Sequence, residues 1–204
     1  QASFERGHFQ GHFHGNLAAI RALLDYAIVA NDNQIKDWAR NSYEYSRQMG
    51  IADLGLFVHG YDKKSIWNAD TEGCTIADMI GLAVSLTNAG LGDYWDDVEK
   101  MARNGLTSAQ STDMEELKRV SNSGKHRPPY ASWGGKFDSR FKGNNKGVLP
   151  GQEIHDRVLE RTIGAFGPVH AARYLTRMMM HCCTANCSEA LYYAWEGIIR
   201  RTGN

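Results

Sequence analysis

Long hydrophobic runs are missing from this 204-residue chain. No stretch approaches the ~20 apolar residues that a helix needs to cross a bilayer, so a membrane is not an expected partner. An excess of charge of one sign is missing too: 23 Lys and Arg balance 23 Asp and Glu, for a formal net charge of zero. That argues against nucleic acid, whose partners usually carry a basic face. No signal peptide is visible, yet the chain starts at Gln1 and not at methionine, and its last residues, RRTGN, read like a cut after a helix. The expectation is a fragment or processed product, for which a missing signal says little. A secreted or periplasmic location follows only if the full-length chain carries a signal peptide. Strand-like alternation is scarce, with LGLFVHGY as one short candidate. Cysteine is scarce as well, at four, and there is no paired CxxC motif.

What is present is helix after helix. Leu17, Ile20, Leu24, Ala27 and Ile28 recur at helical spacing. A second helix, NQIKDWARNSYEYSRQMG, has Asn33 as its expected cap and Gly50 as its stop. Ile76, Met79, Ile80, Ala83 and Leu86 stripe a third. In the next, Asp93 is the expected cap, and Tyr94, Val98, Met101 and Ala102 face inward. STDMEELKRV reads as a capping box, with Ser or Thr ahead of Glu115 and Glu116. GQEIHDRVLERTIGAF and HAARYLTRMMM follow, and the last helix sets Leu191, Ala194, Trp195, Ile198 and Ile199 on one face. The fold class expected is all-α, with helical hairpins packed as a bundle, solenoid or toroid. Two long irregular segments interrupt the helices, 50–73 and 123–151. Loops of that length are uncommon unless functional or disordered. In the second, Tyr130 and Trp133 could stack on a sugar, or the segment could be a surface excursion.

Three of the four cysteines fall within MMMHCCTANC: Cys182, Cys183 and Cys187. A disulfide, a metal site and a reactive thiolate all compete for them. Adjacent cysteines pair with each other only through a strained ring. The fourth, Cys74, follows Glu72 by two residues at the start of the third helix. Cys182 and Cys183 open the last helix, whose positive end lowers thiol pKa. If the two helix starts meet, they present Glu72, Cys74, Cys182 and Cys183, a workable tetrahedral shell for Zn2+. Buried free cysteines with a helix-capping glutamate are the plainer alternative. Cys187 is expected to pack as a small hydrophobe, and the structural role is favoured for His181.

TEGC before one helix and HCCTAN opening another resemble the zinc-thiolate glycosidases of the β-L-arabinofuranosidase family (glycoside hydrolase family 127 and relatives). The hallmarks of that family are a Glu-x-Cys and a later Cys-Cys that together hold zinc. GHFHGNLAAIRALLDYA resembles the family's Gly-His helix start, whose histidine touches the sugar; that match falls on His12, with His14 as its neighbour. The resemblance spans nearly the whole chain. It implies that residues 1–204 are a single helical domain, the C-terminal part of an (α/α)6 toroid. It also implies a retaining hydrolase for a furanoside such as β-L-arabinofuranoside or a related plant glycan. Cys182 would be the nucleophile, and Glu72, Cys74 and Cys183 would complete the zinc shell. The expected partner is an oligosaccharide or glycan substrate, and a homodimer is compatible with the sequence.

One departure from the family is plain. Its acid/base glutamate would fall near Leu56, and no Glu stands between Glu44 and Glu72. Of the titratable groups in that stretch, His59, Asp62 and Asp70, His59 is the candidate proton donor, because imidazole titrates near neutrality. Two other functions remain open: a non-catalytic helical domain with a structural zinc, serving as a glycan binder or scaffold, and a polysaccharide lyase with a Tyr or His base.

Overall fold

The computed structural model describes residues 9, 11–60, 71–122, 157–167 and 181–198. Among these the protein is mostly helical with little sheet, in agreement with the all-α expectation. Tyr130, Trp133, Asp62, Asp70 and the segment HAARYLTRMMM lie outside the described residues.

Helix α1 (Phe13–Ala30) buries Phe13, Leu17, Ile20, Leu24 and Ala27, a stripe at three- and four-residue steps. Asn31 leaves it in the left-handed conformation, at φ 54. Helix α2 (Asn33–Arg47) then folds back against α1. Its cap is Asp32 rather than the expected Asn33: Asp32 Oδ1 accepts hydrogen bonds from Gln34 N (3.0 Å) and Ile35 N (3.1 Å). The chain turns so sharply after Ala30 that Asp32 is already the half-in residue, and an Asp there satisfies two orphan amides.

The short-strand expectation at LGLFVHGY holds in part. Strand β1 (Gly50–Ile51) pairs antiparallel with β2 (Leu56–Phe57), register Gly50 with Phe57 and Ile51 with Leu56, around a 3-10 turn at Ala52–Leu54. Beyond β2 the chain bends at His59 between two isolated bridges, Val58 to Thr71 and His12 to Gly60.

Helix α3 (Gly73–Asn88) is the centre of the protein. It packs against α1, and against α8 (His181–Ile198) most extensively of all. Its apolar residues cover every face, which suits a helix surrounded by others, and nearly all of its side chains are buried. Next come α4 (Trp95–Lys100), a π-helical turn (Met101–Leu106) and the single turn α5 (Thr107–Ala109). Asp93 Oδ1 accepts from Trp95 N at 3.3 Å, and Tyr94, Val98 and Met101 are buried as expected, with Ala102 half-buried. The π turn passes so close to the 3-10 turn that a Cβ on Gly105 would meet the Gly55 carbonyl oxygen at 2.3 Å.

Helix α6 (Met114–Asn122) is capped, but not by the expected Ser or Thr. Asp113 accepts from Glu115 N (2.9 Å) and Glu116 N (3.1 Å). Helix α7 (Val158–Thr162) ends before the sequence pattern does, because Gly164 takes φ 83 and Phe166 leaves to form a bridge with Gln110.

Helix α8 corrects a further expectation. Of the stripe Leu191, Ala194, Trp195 and Ile198, only Ala194 faces the core; the other three are exposed. Ile199 lies outside the described residues. The buried face is Cys183, Cys187, Ala190 and Ala194. Those side chains are small, so α8 can lie close against α3, and the bulky residues are turned outward.

Candidate metal centre

The site forms where the first turn of α3 meets the first turn of α8. Glu72 is the N-cap residue of α3, in extended conformation (φ −133, ψ 133), and its side chain makes no cap hydrogen bond. The carboxylate is therefore directed elsewhere while remaining buried. Gly73 allows the two helices to close: a Cβ there would stand 2.7 Å from Cys187 Sγ and 2.8 Å from the Gly167 carbonyl oxygen. Cys74 follows, fully buried. On α8, successive residues point about 100° apart. Cys183 consequently turns inward and is buried, while Cys182 beside it is exposed.

The sulfurs of Cys74 and Cys183 are 3.4 Å apart, and those of Cys182 and Cys183 3.9 Å. Ligand atoms of Glu72, Cys74, Cys182 and Cys183 all lie within 4.8 Å of one another, so this largely buried set could hold a metal ion. The four residues named from the sequence are thus brought together. All four cysteines are free thiols, so the disulfide alternative does not apply. Cys182 is held well below the usual thiol range by hydrogen bonds from the Cys183 and Cys74 thiols. Cys74 is pushed up because it donates to Cys182 and Cys183, and Cys183 is pushed up to about 12, chiefly by Cys182. The thiol whose pKa is lowered, Cys182, is the exposed one. Cys187, expected to pack, is fully buried, and burial raises its pKa.

Three histidines surround the carboxylate side. Phe13 N donates to the His59 carbonyl oxygen (3.0 Å), and together with the bridges that follow β2 this sets His12 and His59 side by side above Glu72. His12 Nε2 lies 2.6 Å from Glu72 Oε2, and His59 Nε2 lies 3.7 Å from the same oxygen. The two imidazole rings are 4.8 Å apart, and the His14 ring is 5.4 Å from that of His12. His14 Nδ1 is hydrogen-bonded to Asp78 Oδ2, and Arg21 Nη1 reaches the other oxygen of Asp78 at 3.2 Å. Arg21 in turn lies over the ring of Tyr193, 4.9 Å from its centre. The bond to Asp78, then the negative charges of Asp78, Glu72 and Cys182, raise the His14 pKa above its ordinary 6.5 against the opposing effect of burial.

Sequence reasoning missed Asp78 and Arg21. The signal for Asp78 was available: a carboxylate four residues after Cys74, on the same face of an otherwise apolar helix. Arg21 stands seven residues after His14, also on one face, but a single arginine on α1 does not announce itself. The side chain of His181 lies outside what is described. Compared with protein-family models, with curated proteins and with solved structures, the chain finds no match in any of the three.

Proposed function

We propose that this chain is part of the catalytic (α/α)6 toroid of a retaining glycoside hydrolase resembling the β-L-arabinofuranosidase family. In this reading Zn2+ is held by Glu72, Cys74, Cys182 and Cys183, and the substrate is a furanoside of a plant-type glycan. The observation that carries it is the meeting of the two motifs, with one cysteine sulfur left at the surface. Sulfurs 2.3 Å from a tetrahedral zinc stand about 3.8 Å apart, and the two measured separations, 3.4 and 3.9 Å, lie on either side of that value. When bound, zinc keeps its thiol ligands deprotonated.

Cys182 is the nucleophile, since it is the exposed sulfur and the one whose pKa its thiol neighbours lower. Its Sγ attacks the anomeric carbon, and the bond to the leaving oxygen breaks. We assign the proton that the oxygen needs to His14 in place of His59. Asp78 binds His14 Nδ1 and leaves Nε2 available, and the raised pKa keeps the ring protonated to higher pH than a free imidazole. His59 is directed at Glu72 instead. In the second half, water gives a proton back to His14, attacks the same carbon and breaks the carbon–sulfur bond, so configuration is retained. His12, 40% exposed at its side chain, lies at the mouth of the site where a sugar hydroxyl would arrive.

The reduced protein should contain about one zinc per thiolate set by elemental analysis, lost in Cys74→Ala, and should release aryl alcohol from aryl furanosides. Zinc without turnover on any glycoside, together with loss of the fold in Cys182→Ser, would favour the alternative of a structural zinc in a non-catalytic glycan-binding or scaffold domain. No zinc and four titratable thiols would end both readings.

A further inference from the structure

We propose that His12, His59 and Glu72 bind a second divalent cation, with Glu72 as the carboxylate shared between it and the thiolate centre. This rests on the reading of Glu72, Cys74, Cys182 and Cys183 as the first metal set.

The three residues come from separate segments: the residue before α1, the bend after β2, and the N-cap of α3. Backbone pairing fixes them to one another through the His12–Gly60 and Val58–Thr71 bridges and the Phe13 N to His59 O hydrogen bond of 3.0 Å. One ligand atom from each lies within 4.8 Å of the other two. Hydrogen bonding to Glu72 accounts for His12, at 2.6 Å. It does not account for His59, since 3.7 Å is too long for a hydrogen bond. It is close to the separation of about 3.4 Å between neighbouring nitrogen and oxygen ligands 2.0–2.1 Å from a tetrahedral ion. His12 would have to retreat by under ~1 Å to reach that spacing, and its side chain is 40% exposed.

Two imidazoles and one carboxylate make a three-ligand set of the kind that leaves a fourth position for water or substrate. Both histidines are partly exposed and Glu72 is buried, so the open position faces solvent. A carboxylate has two oxygens and about four lone-pair positions, enough to serve two cations; shared sites of this kind hold their ions ~3.5–4 Å apart. Nitrogen and oxygen donors suit a borderline ion such as Zn2+ or Co2+. The resulting centre would be asymmetric, sulfur-rich on the α8 side and imidazole-rich on the α1 side.

Titration of the metal-free, reduced chain with Co2+ tests this, because sulfur-to-cobalt charge-transfer absorption reports the thiolate set alone. The expected result is two Co2+ per chain, with the sulfur band complete after one equivalent. His59→Ala should bind one Co2+ and keep the full band, and His12→Ala should do the same; far-UV circular dichroism confirms that each variant is folded. If one variant unfolds, the other and the wild-type stoichiometry decide. One equivalent with a complete sulfur band in the wild type would overturn the second cation and leave the thiolate centre standing. Two equivalents retained in a folded His59→Ala would overturn it as well. No sulfur band at any ratio would overturn the thiolate centre, and the shared Glu72 with it.

Discussion

Cys74 and Cys183 are 109 positions apart in the chain and 3.4 Å apart at their sulfurs. The contact ties the first turn of α3 to the first turn of α8, the helix it packs against most extensively. An ion held there would bind the folded chain and not the unfolded one. Zinc in reducing buffer should therefore raise the melting temperature, by an amount equivalent to about 4 kcal/mol when the free ion stands at a thousand times its dissociation constant. Cys74→Ala should lose the shift. An equal melting temperature with zinc and with chelator would argue against any ion at this contact.

Cys182 and Cys183 differ in exposure although they are adjacent. Cys182→Ser should therefore cost turnover by several orders of magnitude while leaving the helical circular dichroism unchanged, as expected for the loss of a nucleophile. Cys183→Ser, in the core, should lower stability as well as activity. Glycosidase assays with parallel thermal melts separate the two; a Cys182→Ser variant that turns over at the wild-type rate would remove it from the chemistry.

Gly73→Ala should destabilise the protein by roughly 1–3 kcal/mol, the usual cost of overpacking a closed core, because its Cβ would run into Cys187 Sγ at 2.7 Å and the Gly167 carbonyl at 2.8 Å. Combining it with Cys187→Ala should recover part of the loss, since that removes one of the two obstacles. Cys187→Ala alone should leave metal content unchanged. Urea denaturation of the three variants measures the coupling; strictly additive costs would show that the two residues do not meet.

Asp78→Asn should be most damaging in acid. The His14 pKa is raised in the folded state above its ordinary 6.5. The stabilisation from its proton is therefore complete below that value and fades as pH rises through the folded pKa. Asparagine removes most of this contribution, so the loss measured by urea unfolding of the metal-free protein should be larger at about pH 5.5 than at about pH 9. The ion pair to Arg21 is lost at both. If His14 is the proton donor, the alkaline limb of the pH–rate profile should move to lower pH in the same variant. An unmoved limb would take His14 out of that role.

Much of the candidate site could be read in the sequence because its donors come in short local groups. Glu72 and Cys74 fall within one helical turn, as do Cys182 and Cys183, and 3.6 residues per turn determines how far apart such side chains can be. The same periodicity marked α1, α3 and α4 with the π turn that follows it as helices with a buried stripe. Capping was less legible. Asp32 and Asp113 outcompeted the expected Asn33 and Ser or Thr, because which residue sits half-in depends on how the preceding chain arrives.

Taken alone, the sequence determined the helical character of the chain, the stripes of α1 and α3, and the residue types at both helix starts. These follow from geometry that repeats every few residues. The tertiary structure alone decided that the two helix starts meet, that the chain after β2 brings His59 beside His12, and that Asp78 orients His14. It also decided that α8 turns its cysteines and alanines, not Trp195 and Ile198, toward α3. The physical reason is the same in each case. A contact between distant segments depends on which faces pack most closely, and where side chains are small two helices can approach far enough for sulfur to meet sulfur.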